Sequence, residues 1–296
     1  MPHILRNNNL EIQIDLPHEN YNFSRFDYTG KIVKLKFQNI DITGVERTDT
    51  DNSKIIGKGL YNEFGIDAAI GFNETSKGNW FHKMGVGLLK KEDDNEIYDF
   101  LKAYKIKPCR FEVEKANNNL LITCFSETIN GYSYILKKYI ELFESSFKIQ
   151  YELQNTGSKV IKTSEYNHNF LAFNNENINS DYVLTFPFKL KPELFEENLN
   201  TEQKVTFNNT KINFKNTPSV PFFFSNLSGN KLVNASWELI NLKHNIGIRE
   251  IGSFKTNKIN LWGWTHVISP ELFYQIHASP KETIIWSRTY EVYNLH

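Results

Sequence analysis

Short runs of alternating apolar and polar residues, cut at close intervals by Asn, Gly and Asp, fill most of this chain. FEVEK (111–115) and LLITCFSE (120–127) are separated by Asn118-Asn119, and Asn130-Gly131 precedes YSYILKKYI (132–140). In SSFKIQYELQ (145–154), Phe147, Ile149, Tyr151 and Leu153 share one face, and Asn155-Thr156-Gly157-Ser158 closes the run as a turn. KIVKLKFQNIDITGVE (31–46) repeats the pattern, with Val33, Leu35 and Phe37 opposite Lys34 and Lys36. A period of two bounded by turn residues is the signature of antiparallel strands. Helical spacing is scarce. Residues 93–105 suit one short helix or an irregular connection, and 191–203 a second short element. Neither can cover a sheet, so the apolar faces must be buried sheet on sheet. The expectation is an all-β protein, a large antiparallel β sandwich. No Pro/Gly/Ser-rich linker divides the chain, so residues 1–296 are read as a single domain.

Composition removes several function classes. Lys plus Arg number 34 and Asp plus Glu number 34. This balance argues against nucleic acid and against an electrostatic membrane surface as partners. No apolar stretch approaches the ~18 residues of a membrane span. The opening residues MPHILRNNNLEIQIDLPHEN contain no apolar signal region, so a cytoplasmic location is expected. Cys109 and Cys124, the two cysteines, form no CxxC pair; they read as buried free thiols, with a single Cys109–Cys124 disulfide as the alternative. HExxH, HxH and EF-hand spacings are missing, as are a GxSxG elbow and a P-loop; no metal and no cofactor is expected.

Histidines are the first candidates for chemistry, because they exchange protons near neutral pH. His3, His18 and His296 lie near the termini and read as solvated, and His244 as a surface-loop residue. His168 lies in KTSEYNHNFLAFNN (162–175). On a strand, Ser164, Tyr166, His168 and Phe170 point one way, and Glu165, Asn167 and Asn169 the other. Buried polar groups cost about 1–3 kcal/mol each unless hydrogen-bonded. Something must therefore use them: an internal polar network or a hydroxyl-rich ligand. His82 lies in GNWFHKMGVGLL (78–89), where Gly85 and Gly87 allow a sharp bend. It is a site residue or a loop histidine beside packed aromatics. In INLWGWTHVISPELFYQI (259–276), Trp262 and Trp264 share a strand face and offer a stacking surface or core packing. His266 follows them. Glu271, between Pro270 and Leu272, is a candidate general base or a solvated turn residue.

Taken in order, these segments resemble the aldose 1-epimerase (galactose mutarotase) superfamily over roughly residues 25–293. YTGKIVKLKFQNIDIT (28–43) resembles that family's N-terminal strand pair, and NHNFLAF (167–173) its Asn-His-x-Tyr/Phe segment. NWFHKMGVG (79–87) is similar to its His-Gly-Gly region. The tract 270–293 resembles its C-terminal acidic segment, turn and closing strand, with Lys281 where the family has Gly. The family's Asn-Arg pair falls on Asn62-Glu63, leaving Arg25 to supply a guanidinium.

The resemblance implies a mutarotase-like β sandwich that interconverts the α and β anomers of a sugar by acid/base ring opening. Glu271 is then the base, His168 the acid and His82 a hydrogen-bond donor. Arg25, Asn62, Glu63, Asn167, Trp262, Trp264 and His266 are the sugar-binding set. The ligand is a sugar or sugar phosphate, and the chain a monomer or weak homodimer. Two alternatives remain open: a carbohydrate-binding protein without turnover, and a polysaccharide-processing enzyme. Hydrolysis would need two carboxylates about 5–10 Å apart, drawn from Glu63, Asp67 and Glu271.

Overall fold

The alternating runs pair as antiparallel ladders throughout a computed structural model that describes residues 2–49, 54–95 and 97–295. His296 lies outside them. A ten-stranded sheet carries Ser146–Asn155, Val233–Asn241, Ile246–Thr256 and Thr283–Asn294 at its centre. A seven-stranded sheet includes Lys31–Phe37, Leu60–Phe64, Ile161–Asn169 and Tyr274–Ala278. A four-stranded sheet runs in the order Glu197–Leu199, Phe222–Ser225, Ile259–Trp264, Val267–Leu272, and a three-stranded one contains Trp80–Lys83. Among the described residues there is no α-helix, only three 3₁₀ turns, and no helix is long and apolar enough to cross a membrane. Of the two expected short elements, the described part of 93–105 is irregular. The stretch 191–203 resolves into the turn Pro192–Leu194 and the edge strand Glu197–Leu199.

Several strands bury one face, as the period of two requires, whereas Leu60–Phe64 and Val267–Leu272 are buried on both. Phe147, Ile149, Tyr151 and Leu153 are all buried and join an apolar core that runs from Leu5 to Val292. This core also holds charge. Arg288, fully buried, reaches Glu165 through NH2 at 2.7 Å and through Nε at 3.1 Å, and also bonds Glu250. Trp286 donates its indole N–H to Glu165 at 3.0 Å, and Trp237 to Glu250 at 2.7 Å. The Arg288 guanidinium is held far up its range: burial opposes the charge, but Glu165 and Glu250 outweigh it. Cys109 and Cys124 are buried free thiols.

Candidate active site

Strand Ile161–Asn169 divides its polar side chains between two compartments. Glu165, Asn167 and Asn169 enter the Arg288 network, where Asn167 Nδ2 donates to Tyr290 at 2.7 Å and Asn169 Nδ2 to Glu250 at 2.9 Å. Tyr166 and His168, followed by Phe170, face a cavity of about 670 Å³. That volume lies inside the roughly 300–1,000 Å³ typical of small-molecule sites. Of the two uses weighed for this polar run, the network occupies one face, and the other face borders the cavity.

His168 sits at the junction of two carboxylates. Its Nδ1 is 2.9 Å from Glu271 Oε1 and its Nε2 is 3.0 Å from Glu63 Oε2. Burial works against the charged ring, but the Glu271 charge and hydrogen bonds to Glu271 and Glu63 overcome it, so its pKa is raised. A carboxylate on each nitrogen favours the imidazolium form, in which both ring nitrogens donate. Glu271 borders the cavity and also accepts from Ser269 Oγ at 3.3 Å.

Glu63 is sealed behind His168, with no exposed surface. Lys83 Nζ lies 3.3 Å from its Oε1, Arg25 Nε 3.3 Å from its Oε2, and Tyr166 donates to it at 3.1 Å. Burial would raise this carboxyl, but Lys83, His168 and Arg25 bring it down to about 2. Arg25 does border the cavity, with its guanidinium against the rings of Phe26 and Phe100 at 4.4 and 5.1 Å. It is already paired with Glu46 at 2.9 Å. Trp262 also borders the cavity.

Six expected site residues sit elsewhere or play another part. His82 is buried against Tyr134, and its Nε2 lies 3.2 Å from the Tyr132 carbonyl. Alternation along Trp80–Lys83 turns Lys83, not His82, toward Glu63. The bend after it needs Gly85, at φ +75°, where a Cβ would stand 2.1 Å from Asp27 Oδ1. Asn62 and Asn167 bond each other at 2.9 Å within the core, so neither reaches a ligand. Glu63 supports His168 from behind and does not line the cavity. Trp264 and His266 lie beyond the lining: the indole donates to the Ser219 carbonyl at 3.1 Å, and His266 Nε2 is 3.1 Å from that of Val45. His3 is half-buried rather than solvated.

Lining residues that the sequence did not single out include Glu46, Arg47, Ser225, Lys258 and Asn260. Their signal was weak, since each is an ordinary polar residue beside a turn or within an aromatic run.

A two-layered antiparallel β protein with a His–Glu pair in an open cavity is the class defined so far. No family model matches the sequence, and no curated protein is significantly similar to it. Solved structures do match over the full chain. A putative aldose 1-epimerase from Escherichia coli K12 superposes with a TM-score of 0.62 at 11% identity, covering 100% of this chain and 99% of that one. A galactose mutarotase-like protein from Clostridium acetobutylicum gives 0.58 at 13% identity, covering 99% and 95%. The GalM/aldose epimerase homologue from C. elegans gives 0.55 at 11%, covering 100% of both chains. At these identities the likeness concerns the fold, and the fold is galactose mutarotase-like.

Proposed function

We propose that the cavity takes the reducing end of a sugar and interconverts its α and β anomers. The carrying observation is the His168–Glu271 pair, 2.9 Å apart on the cavity wall. Anomerisation removes a proton from O1 and delivers one to the ring oxygen, and both oxygens are bonded to C1. An acid and a base separated by one hydrogen bond can serve both atoms. The sugar inserts between them. Glu271 takes the O1 proton while His168 gives its Nδ1 proton to the ring oxygen, and the C1–ring oxygen bond opens. Rotation about C1–C2 presents the other carbonyl face, and the same groups run the transfers backwards as the ring closes. His168 keeps its Nε2 proton on Glu63 throughout. Glu63 therefore orients the ring and favours its charged form, while Lys83 and Arg25 keep Glu63 ionised.

The reading takes residues 1–296 as one domain, supported by a core that draws on both ends of the chain. It also favours an uncharged sugar over a sugar phosphate. Arg25 is held by Glu46 and Glu63, Arg47 by Asp49 at 2.9 Å and Lys258 by Asp67 at 3.1 Å. Among the described residues, each lysine or arginine on the wall thus has its own carboxylate, and none stands ready for a phosphate. Cleavage of a polysaccharide is less well supported, because Glu63 is sealed off and Asp67 is tied to Lys258. Carbohydrate binding without turnover is favoured by one observation: both nitrogens of His168 are engaged by the protein itself.

The test is anomer exchange followed by polarimetry or NMR saturation transfer with common hexoses and pentoses. Exchange above the buffer rate is expected, falling by about 10²–10⁴-fold in His168→Ala and Glu271→Gln. Tight sugar binding with no exchange identifies the binding protein instead.

A further inference from the structure

The four-stranded sheet continues the site away from His168. Glu271 is registered opposite Asn260. Phe224 is registered opposite Leu261, and Ser225 and Asn260 are the next residues of the two strands beyond that pair. Ser225 is in turn registered opposite Glu197. Each of these four residues borders the cavity. They form a single row across the sheet, one residue per strand: Glu271, Asn260, Ser225, Glu197. Two positions along, Phe223 and Trp262 are registered with each other and border the same cavity. A polar row beside an aromatic one matches a saccharide, with hydroxyls along the ring edge and C–H groups on its face.

The row has unused hydrogen-bonding capacity. Ser225 is 7% exposed, and its hydroxyl has no hydrogen-bond partner among the described residues. Such an orphan costs free energy until something bonds it, and a serine hydroxyl has three staggered positions from which to do so. Asn260 uses Oδ1 to accept from the Asn226 amide at 3.2 Å, and its Nδ2 bonds none of the described residues. Glu197 is exposed at the cavity rim and has no ion-pair partner among the described residues.

Length is the second point. Neighbouring strands lie about 4.8 Å apart, so three spacings carry the row roughly 14 Å from Glu271 to Glu197. A single pyranose covers little more than one spacing. We infer that the site is built for a reducing oligosaccharide of at least two rings: the reducing ring lies at His168–Glu271, and the next ring meets Ser225 and Glu197 over Phe223. This rests on the proposed sugar site but concerns its extent, not its chemistry.

The experiment compares glucose and galactose with maltose, cellobiose and lactose, measuring affinity by calorimetry and anomer exchange by NMR on the same protein. At least one disaccharide should bind tenfold or more tightly than its monosaccharides. That ratio should fall at least fivefold in Ser225→Ala and in Glu197→Ala. Ser225→Ala removes an unpaired buried hydroxyl, so it should fold at least as stably as wild type, and urea unfolding checks this. Disaccharides that bind no more tightly than monosaccharides overturn the inference, even if exchange is fast. A disaccharide preference untouched by both substitutions overturns the assignment to this row. Tight disaccharide binding without exchange upholds the extended site and removes the catalytic reading.

Discussion

Glu63→Gln separates the support of His168 from the chemistry it performs. In the folded protein this carboxyl is held at about 2, against 4.5 for an unperturbed glutamate. Burial opposes that, and the neighbouring Lys83, His168 and Arg25 charges more than overcome it. At about 1.4 kcal/mol per pH unit, the interval corresponds to roughly 3 kcal/mol of stability. The contribution is complete above pH 4.5 and is lost as pH falls through about 2, because only the unfolded chain readily takes up the proton. Urea unfolding of wild type across this range should show the loss, and Glu63→Gln should lack that component of the slope. At neutral pH the variant should already be less stable by about 3–5 kcal/mol, since it leaves Lys83 and Arg25 buried with less compensation. His168 also loses the carboxylate on Nε2. The limb of the activity profile that reports deprotonation of His168 should therefore move to lower pH. Parallel stability curves for the two proteins from pH 5 to pH 2, with an unmoved activity limb, would refute the argument.

Three further outcomes follow from the same coordinates. Burial brings His82 down to about 4 from 6.5. Keeping it neutral contributes stability that is complete above pH 6.5 and declines by roughly 3 kcal/mol as pH falls through 4; His82→Gln should flatten that window in urea titrations and leave anomer exchange intact. Trp262→Ala removes the aromatic wall nearest the polar row, and steady-state kinetics should show KM rising about tenfold with a smaller change in kcat. Arg288→Met strands Glu165 and Glu250 in the core, and chemical unfolding should register a loss of about 3–5 kcal/mol; a loss below about 1 kcal/mol would show that the network is dispensable.

Much of the sandwich was legible because alternation is a local signal. In 161–169 it separates His168 from Asn167 on sequence alone, and the ladder to Leu60–Phe64 keeps that separation. The same rule fails where both faces of a strand are buried. Leu60–Phe64 is buried at every position, so nothing in LYNEF tells which face Glu63 takes or that it stops behind a histidine. In WFHK the histidine drew attention by its chemistry, while parity assigned the neighbouring lysine to the site. Ser225 was lost among phenylalanines, because an orphaned hydroxyl is a property of three-dimensional surroundings. The tract 93–105 has helical spacing at Ile97, Leu101 and Tyr104, yet Phe100 and Leu101 go to the cavity wall and Arg25, and no helix forms among its described residues.

The strand that carries Glu197 has three residues and lies at the outer margin of its sheet, whereas His168 stands on an interior strand whose other face is locked into the Arg288 cluster. The far margin can be lengthened, trimmed or recoloured without disturbing the strand that holds His168. On the proposed function, descendants of this chain would change the molecule they accept by editing a border, while the His168–Glu271 pair stays anchored to residues that the architecture does not let go.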